Sequence, residues 1–191
     1  TFQGRLAEIP AGMCQACRNL SEITFPEGLE KIGTCAFEGC SSLADAELPE
    51  SLKEIEQLAF SGCSSLVEIR LPENLRKLGD FAFQNCSGLF SVTIPGDQLQ
   101  FGEKVFASCE MKPELWFYGS APSFQQTTFQ GASAFVHYRS GRSGWADIVG
   151  NSYGGSLIWN IFDPEADIVA EGDCSGRDSN ARWSLSRDGV L

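Results

Sequence analysis

Large apolar residues recur along this chain with a period of 23 residues. One position of the repeat carries a phenylalanine in five successive copies, after a cysteine in the first: Cys14, Phe37, Phe60, Phe83, Phe106 and Phe129. A second position carries Ile9, Ile32, Ile55, Leu78, Phe101 and Phe124. Because stacked coils place equivalent side chains over one another, each position predicts a strip of core that runs along a solenoid.

Within each copy, the pattern predicts one short strand and one tight turn. The strand follows the sequence L-x-x-I-x-L-P, clearest at residues 66–72, where the proline is expected to end it. The turn, or one-turn helix, is clearest at residues 59–63 and ends in small residues. Strands of successive coils are expected to pair in parallel about 4.8 Å apart, with the turns on the opposite side of the coil.

Cysteine occupies a third position of the repeat: Cys17, Cys40, Cys63, Cys86 and Cys109. A free cysteine behaves as a small apolar residue, so this column predicts a buried ladder that fills the bend after each turn. Together with Phe37, Phe60, Phe83 and Phe106 it forms the predicted structural ladder of the fold.

The strings LPESLKEIEQLAFSGCSSL and LPENLRKLGDFAFQNCSGL resemble the repeat of the BspA-like leucine-rich-repeat family of bacterial surface proteins, LPxxLxxIxxxAFxxCxxL. The resemblance is strong to about residue 115 and weaker over 116–138. It implies a right-handed leucine-rich-repeat solenoid with short parallel strands on the concave face and turns or short helices on the convex face. It also implies an extracellular or cell-surface location and a role in adhesion or host interaction.

The repeat divides the chain into a solenoid, a cap and a tail. The predicted coils are residues 1–23, 24–46, 47–69, 70–92, 93–115 and 116–138. Residues 139–162 are predicted to be a C-terminal cap, with Phe135, Tyr138 and Trp145 covering the last open apolar face. Residues 163–191 are predicted to be an acidic linker and the interrupted start of a further β module, so we expect a longer parent polypeptide.

Charge excludes one class of partner. The chain has 25 acidic and 14 basic residues, a net charge of −11, which repels a phosphate backbone and predicts no binding of nucleic acid. No run approaches the roughly 20 apolar residues of a membrane helix, so no membrane insertion is predicted for this segment. The oligomeric state is not predicted.

Little in the sequence predicts catalysis, a metal or a cofactor. The single histidine, His137, lies in the last predicted strand without a nucleophile signature, so no catalytic residue and no enzyme activity are predicted. Cys14 and Cys17 form a C-x-x-C pair, but a zinc site needs a second pair. We therefore predict no metal and no cofactor, and keep a disulfide involving Cys14 or Cys35 as the alternative to free thiols.

Strand alternation predicts which side chains the sheet displays. Acidic residues stack in one outward column, at Glu22, Asp45, Glu68 and Glu114. The favoured interpretation is a solvated acidic face, and a bridging divalent cation is the alternative.

Aromatic, apolar and arginine side chains beside a charged rim are typical of protein interfaces. The predicted contact residues on the concave face are Val67, Glu68, Arg70, Phe90, Glu114 and Trp116.

The sequence therefore favours a noncatalytic module that binds a protein or peptide, such as a host surface or matrix protein. Two alternatives remain open. One is a structural spacer between modules. The other is a carbohydrate-binding module, whose aromatic platform would consist of Trp116, Tyr118, Tyr138 and Trp145.

Overall fold

Each repeat of the chain contributes strands to two parallel sheets. The structure, a computed structural model, describes residues 6–164 and the strands Ile168–Asp173 and Arg182–Ser186. The strands predicted in the repeats, together with one that was not predicted, β12 (Ser156–Phe162), form the front sheet. The others are β2 (Glu22–Thr24), β4 (Asp45–Glu47), β6 (Glu68–Arg70), β8 (Ser91–Ile94), β10 (Glu114–Phe117) and β11 (Ser133–Arg139). Two-residue strands form the side sheet: β1 (Glu8–Ile9), β3 (Lys31–Ile32), β5 (Glu54–Ile55), β7 (Lys77–Leu78) and β9 (Gln100–Phe101).

The predicted solenoid is confirmed. Side-sheet strands pair in parallel with the strand 23 residues further along, so that Ile9 lies beside Ile32 and Ile55 beside Leu78. In the front sheet, β6, β8, β10, β11 and β12 form one parallel ladder and β2 and β4 form another. The side sheet was not predicted, because a two-residue strand is too short to show alternation in the sequence.

Stacked phenylalanine rings form the centre of the core. The rings of Phe37, Phe60, Phe83 and Phe106 follow one another at centroid distances of 5.3, 5.5 and 6.0 Å, and each pair is inclined by 16° or less. Phe129 continues the stack 6.0 Å beyond Phe106. All five rings are fully buried, which confirms the predicted column. Offset stacking of this kind adds a favourable aromatic contact to the burial of each ring.

The turns that carry these rings are hydrogen-bonded from coil to coil. The N–H of Phe37 donates to the carbonyl of Ala59 (2.8 Å), and that of Phe60 donates to the carbonyl of Ala82 (2.9 Å). Left-handed residues flank the ring, at Leu58 (φ 58°) and Gly62 (φ 73°) in the third coil. In an α-helical turn, each of these N–H groups would donate to a carbonyl four residues earlier in the same coil. Here the bonds run along the solenoid axis and join each turn to the next.

Cysteine thiols add a second link between coils. The thiol of Cys63 donates to the carbonyl of Phe37 (3.3 Å), and those of Cys86 and Cys109 make the equivalent bonds at 3.1 and 3.2 Å. Cys40 is buried and bonds in the same way to the carbonyl of Cys14. Burial raises the pKa of the Cys63 and Cys109 thiols to about 12.

Cys17 does not join this buried ladder, contrary to the prediction. Its side chain is exposed, because it lies in the first described coil and no described coil precedes it to supply a carbonyl. The seven cysteines from Cys14 to Cys109 all carry free thiols. Cys174 lies outside the described residues.

The C-terminal end of the solenoid differs from the predicted cap. Residues 139–162 contain a short helix, α1 (Trp145–Ile148), and β12, which pairs in parallel with β11 and continues the front sheet by one more coil. Trp145 is buried and packs on Phe117 and Tyr138 at centroid distances of 5.3 and 5.0 Å. Phe135 does not cover the core, because it is in register with Glu114 on the outward side of the sheet.

Beyond the solenoid, two further strands pair antiparallel: β13 (Ile168–Asp173) and β14 (Arg182–Ser186). β13 falls within the segment that was predicted to be a linker, so that part of the prediction is wrong. The last residues of the predicted β module, 187–191, lie outside the described residues. Within the part of the chain that the structure describes, no helix is long and apolar enough to cross a membrane.

Replacing a central ring should destabilise the fold strongly. Phe60 is stacked between Phe37 and Phe83, so we expect Phe60→Ala to lower the free energy of unfolding by about 3–5 kcal/mol, as measured by urea denaturation. Phe90→Ala is the matched control, because Phe90 is 46% exposed, and should cost less than about 1 kcal/mol. An equal loss in both variants would contradict the assigned core.

The thiols should differ in their accessibility to alkylation. In the native protein at pH 8, iodoacetamide should modify Cys17 first and leave Cys63 and Cys86 unmodified, because burial raises the pKa of both buried thiols. Peptide mass spectrometry measures each site, and labelling in guanidinium chloride gives the full count. Rapid native labelling of Cys63 would disprove the buried thiol ladder.

Candidate binding face

The outward side of the front sheet displays two rows of side chains that cross the coils. Strand pairing places Glu22 beside Asp45, and further along it places Glu68, Ser91, Glu114, Phe135 and Ile158 in one row. The second row contains Thr24 and Glu47 and then Arg70, Thr93, Trp116, His137 and Asn160. Because the strands are parallel and in register, neighbouring members of a row belong to neighbouring coils.

The structure brings the six predicted contact residues onto this face within three successive coils. Val67 and Phe90 are 53% and 46% exposed, and the N–H of Phe90 donates to the carbonyl of Val67 (2.8 Å). Glu68 and Glu114 flank Ser91 in the first row, and Arg70 and Trp116 flank Thr93 in the second. The face therefore combines apolar, acidic, basic and aromatic side chains over a short distance.

An acidic cleft lies where the two ladders of the front sheet meet. It has a volume of about 630 Å³ and is lined by carboxylates of Asp45, Glu47 and Glu68, together with Arg70 and Thr93. In the described part of the chain, no ladder joins β4 to β6, so the cleft follows this interruption in the sheet.

Neither a zinc site at the C-x-x-C pair nor a divalent-cation site at the acidic column has a set of ligands in residues 6–164. No group of three or more His, Cys, Asp or Glu side chains in this part of the structure could hold a metal ion. This applies to the C-x-x-C pair at Cys14 and Cys17 as well as to the acidic column.

An aromatic cluster lies at the other end of the face. The ring of Trp116 stacks on that of His137 with centroids 3.9 Å apart and an interplanar angle of 7°. Phe162 meets Trp116 edge-on at 5.4 Å and Tyr118 edge-on at 5.3 Å. Nε2 of His137 is buried and has no hydrogen-bond partner among the described residues. Burial lowers the pKa of His137, and the nearby carboxylate of Glu114 partly opposes this shift.

The predicted sugar platform is not assembled in this structure. Trp116 and Tyr118 lie on the outward side of the sheet with Phe162, whereas Tyr138 and Trp145 pack together against Phe117 in the interior. The cause is strand alternation: Tyr138 pairs in register with the inward Phe117.

An arginine cleft, which the sequence interpretation missed, lies beside the aromatic cluster. Arg70, Arg139 and Arg142 line a depression of about 270 Å³ together with Tyr118, Pro95 and Glu73. Asp97 lies near this cleft, and its pKa is lowered mainly by the N–H of Ser120 and less by the charges of Arg142 and Arg76. The strand ends of β6 and β11 bring Arg70 and Arg139 to the same region of the face.

Comparison with known proteins identifies the repeat. The family described as BspA type leucine rich repeat region matches residues 7–135 in six copies. The structure of the pneumococcal vaccine antigen PcpA is similar, with 26% sequence identity and a TM-score of 0.63 over 81% of this chain and 39% of that chain. This chain therefore spans about two fifths of the length of that antigen.

Two further solved structures are similar at lower scores. The leucine rich repeat protein TpLRR of T. pallidum has 24% identity and a TM-score of 0.47, over 69% of this chain and 67% of that chain. A leucine-rich repeat protein from Bacteroides ovatus has 20% identity and a TM-score of 0.45, over 84% of this chain and 57% of that chain. No curated protein matches the sequence.

The buried environment of His137 should be visible in its titration. His137 is the single histidine of the chain, so the signal of its Hε1 proton can be followed with pH without overlap from other histidines. We expect a midpoint below 6.5, and Glu114→Gln should lower it further, because that carboxylate favours the charged imidazolium. Glu103→Gln is the control and should leave the midpoint unchanged.

The sign of the linked stability effect follows from the same shift. Because the pKa of His137 is lowered on folding, its contribution to stability is present above pH 6.5 and is lost as the pH falls through the folded pKa. A midpoint at or above 6.5 would show that the stacked, desolvated arrangement with Trp116 is wrong.

Proposed function

We propose that this chain, which belongs to the BspA-type leucine-rich repeat family, is a noncatalytic binding module of a bacterial cell-surface or secreted protein. The proposed partner is a protein or peptide, such as a host surface or matrix protein, held on the outward side of the front sheet. The similarity to a pneumococcal vaccine antigen supports the proposed location.

The observation that carries this proposal is the exposure of Val67 and Phe90 beside Glu68 and Arg70. Large apolar side chains are otherwise mostly buried in the described part of the chain, and these two lie next to each other on an open sheet. Their exposure to water is unfavourable, and a protein partner would relieve it by covering them. An apolar centre with a charged rim is the usual anatomy of a protein interface.

The distribution of ion pairs supports the same face. Around the side sheet, Lys31 pairs with Glu8 and Glu56 at 3.5 and 2.9 Å, and Lys53 pairs with Glu30 at 2.8 Å. On the front sheet, by contrast, neither Glu68 nor Arg70 has an ion pair within 4 Å among the described residues. Charges that are not neutralised within the protein can direct the approach and orientation of a partner.

Removing the apolar anchors should weaken binding. The test immobilises the 191-residue chain, captures partners from solubilised extracellular-matrix proteins, identifies them by mass spectrometry and measures the Kd of each purified partner. Phe90→Ala combined with Trp116→Ala should raise the Kd by about tenfold or more, because hot-spot aromatic residues supply much of the affinity of an interface.

The control for this experiment replaces apolar residues that are equally exposed but lie in turns. Met13 and Met111 are 49% and 54% exposed, so Met13→Ala with Met111→Ala should leave the Kd unchanged. Equal binding by the aromatic double variant would place the interface elsewhere. Retention of no matrix protein at all would favour the structural spacer instead.

A further inference from the structure

We infer that the arginine cleft formed by Arg70, Arg139 and Arg142 is an anion-binding subsite, which receives a carboxylate from an acidic side chain or the C-terminus of the protein partner. This inference rests on the proposed function and specifies the chemistry that the front sheet recognises. It assigns a role to Arg139 and Arg142, which the sequence pattern did not single out.

The concentration of arginine at this place is unusual for so acidic a chain. The net charge is −11, yet three of the five arginines between residues 6 and 164 line this one cleft. A fourth, Arg76, lies close by, since its guanidinium donates to the carbonyl of Asp97 (3.4 Å). Among the described residues that line the cleft, Glu73 is the one that carries a carboxylate, and Asp97 lies beside the cleft.

The fold produces this arrangement through the ends of parallel strands. Arg70 is the last residue of β6, Arg139 is the last residue of β11, and Arg142 lies in the turn that follows. Tyr118 directly follows β10, the strand next to β11. Because the carboxyl ends of parallel strands meet at one edge of a sheet, residues distant in sequence converge there.

Two of the arginines are available for a ligand. Arg70 and Arg142 are exposed, and neither has an ion pair within 4 Å among the described residues. The neighbouring carboxylate of Asp97 already accepts a hydrogen bond from the N–H of Ser120. A guanidinium presents its donors as a planar fork that matches a carboxylate, and such charge-assisted bonds are among the strongest in proteins.

The size of the cleft and the surrounding charge favour a single carboxylate. A volume of about 270 Å³ accommodates one side chain or a chain terminus. An extended polyanion would instead reach the acidic side chains of Asp45, Glu47 and Glu68 in the adjoining cleft, which shares Arg70, and their charges would repel it.

The neighbouring side chains favour a peptide over an acidic sugar. Val67 directly precedes β6, whose last residue, Arg70, lines the cleft, and Phe90 directly precedes the neighbouring strand β8, so one bound segment that runs along these strands could contact both. Trp116 stacks on His137 and meets Phe162 edge-on, so its ring is already engaged within the protein and is a poor platform for a sugar. We therefore assign the carboxylate to a peptide that also carries an apolar residue.

The test selects ligands from a phage-displayed library of random dodecapeptides on the full chain. Selected peptides should be enriched in acidic residues beside apolar ones, and the Kd of the synthetic peptides should rise with salt concentration. Arg70→Gln combined with Arg142→Gln should raise that Kd by about tenfold or more, because two charge-assisted contacts are lost. Thermal melting should confirm that this variant remains folded.

The matched control removes the same charge from other surfaces. Arg18 and Lys77 are exposed and lie outside the cleft, so Arg18→Gln with Lys77→Gln should leave the Kd of the selected peptides unchanged. Phe90→Ala is measured in parallel to report on the apolar part of the proposed interface.

Each outcome separates the two proposals. If binding of the selected peptides is weakened by Phe90→Ala but not by the double arginine variant, or if the peptides are not enriched in acidic residues, the inference is overturned and the proposed function stands. If neither variant weakens binding of the selected peptides, both the inference and the proposed function are overturned. A parallel titration with sialyllactose and a hyaluronan hexasaccharide covers the sugar source: arginine-dependent binding of these alone overturns the peptide assignment. Binding of neither probe class overturns the inference.

Discussion

Close contact between successive coils is the constraint on which the rest of this structure depends. Backbone hydrogen bonds join successive coils on the side sheet, at the turns and, except between β4 and β6, on the front sheet, so they hold neighbouring coils close together on each of these sides. At Gly79 the approach is so close that a Cβ would lie 2.5 Å from the carbonyl carbon of Glu56. With the coils held this near, a large side chain can be buried only over its equivalent, and the phenylalanine stack and the thiol ladder follow.

The sequence predicts those parts of the fold in which the identity of a residue is repeated. The columns that contain Phe60 and Cys63 can be recognised in the sequence, because each coil needs a side chain of the same shape at these positions. The turn positions with a left-handed backbone cannot be recognised in the sequence, because residues as different as Leu58, Phe81 and Gly62 occupy them. What repeats at these positions is a backbone conformation. The side sheet is missed for a related reason, since two residues such as Glu54 and Ile55 carry no period.

The register of the last coils could not be predicted because the repeat changes length. Glu114 pairs with Phe135, which is 21 residues further on, whereas Glu68 pairs with Ser91 at the usual spacing of 23. Because side chains alternate with a period of two, a shift of two residues changes the neighbours of a strand but not its faces, so Phe135 is outward and Tyr138 inward by strand alternation alone. The six predicted contact residues precede this change in length, and Arg139 and Arg142, which the sequence interpretation did not single out, follow it.

The same coil contacts separate stability from recognition. The core and the backbone bonds use the inward side chains and the main chain, so outward residues such as Phe90, Arg70 and Trp116 can differ between coils without loss of the stack. In this chain they differ in charge along the sheet, with carboxylates at Asp45 and Glu47 and guanidinium groups at Arg139 and Arg142. Under the proposed function, a partner that is complementary in charge to this face would meet like charges at both ends if it approached in the reverse direction. In that case the order of the coils would determine the orientation of the partner.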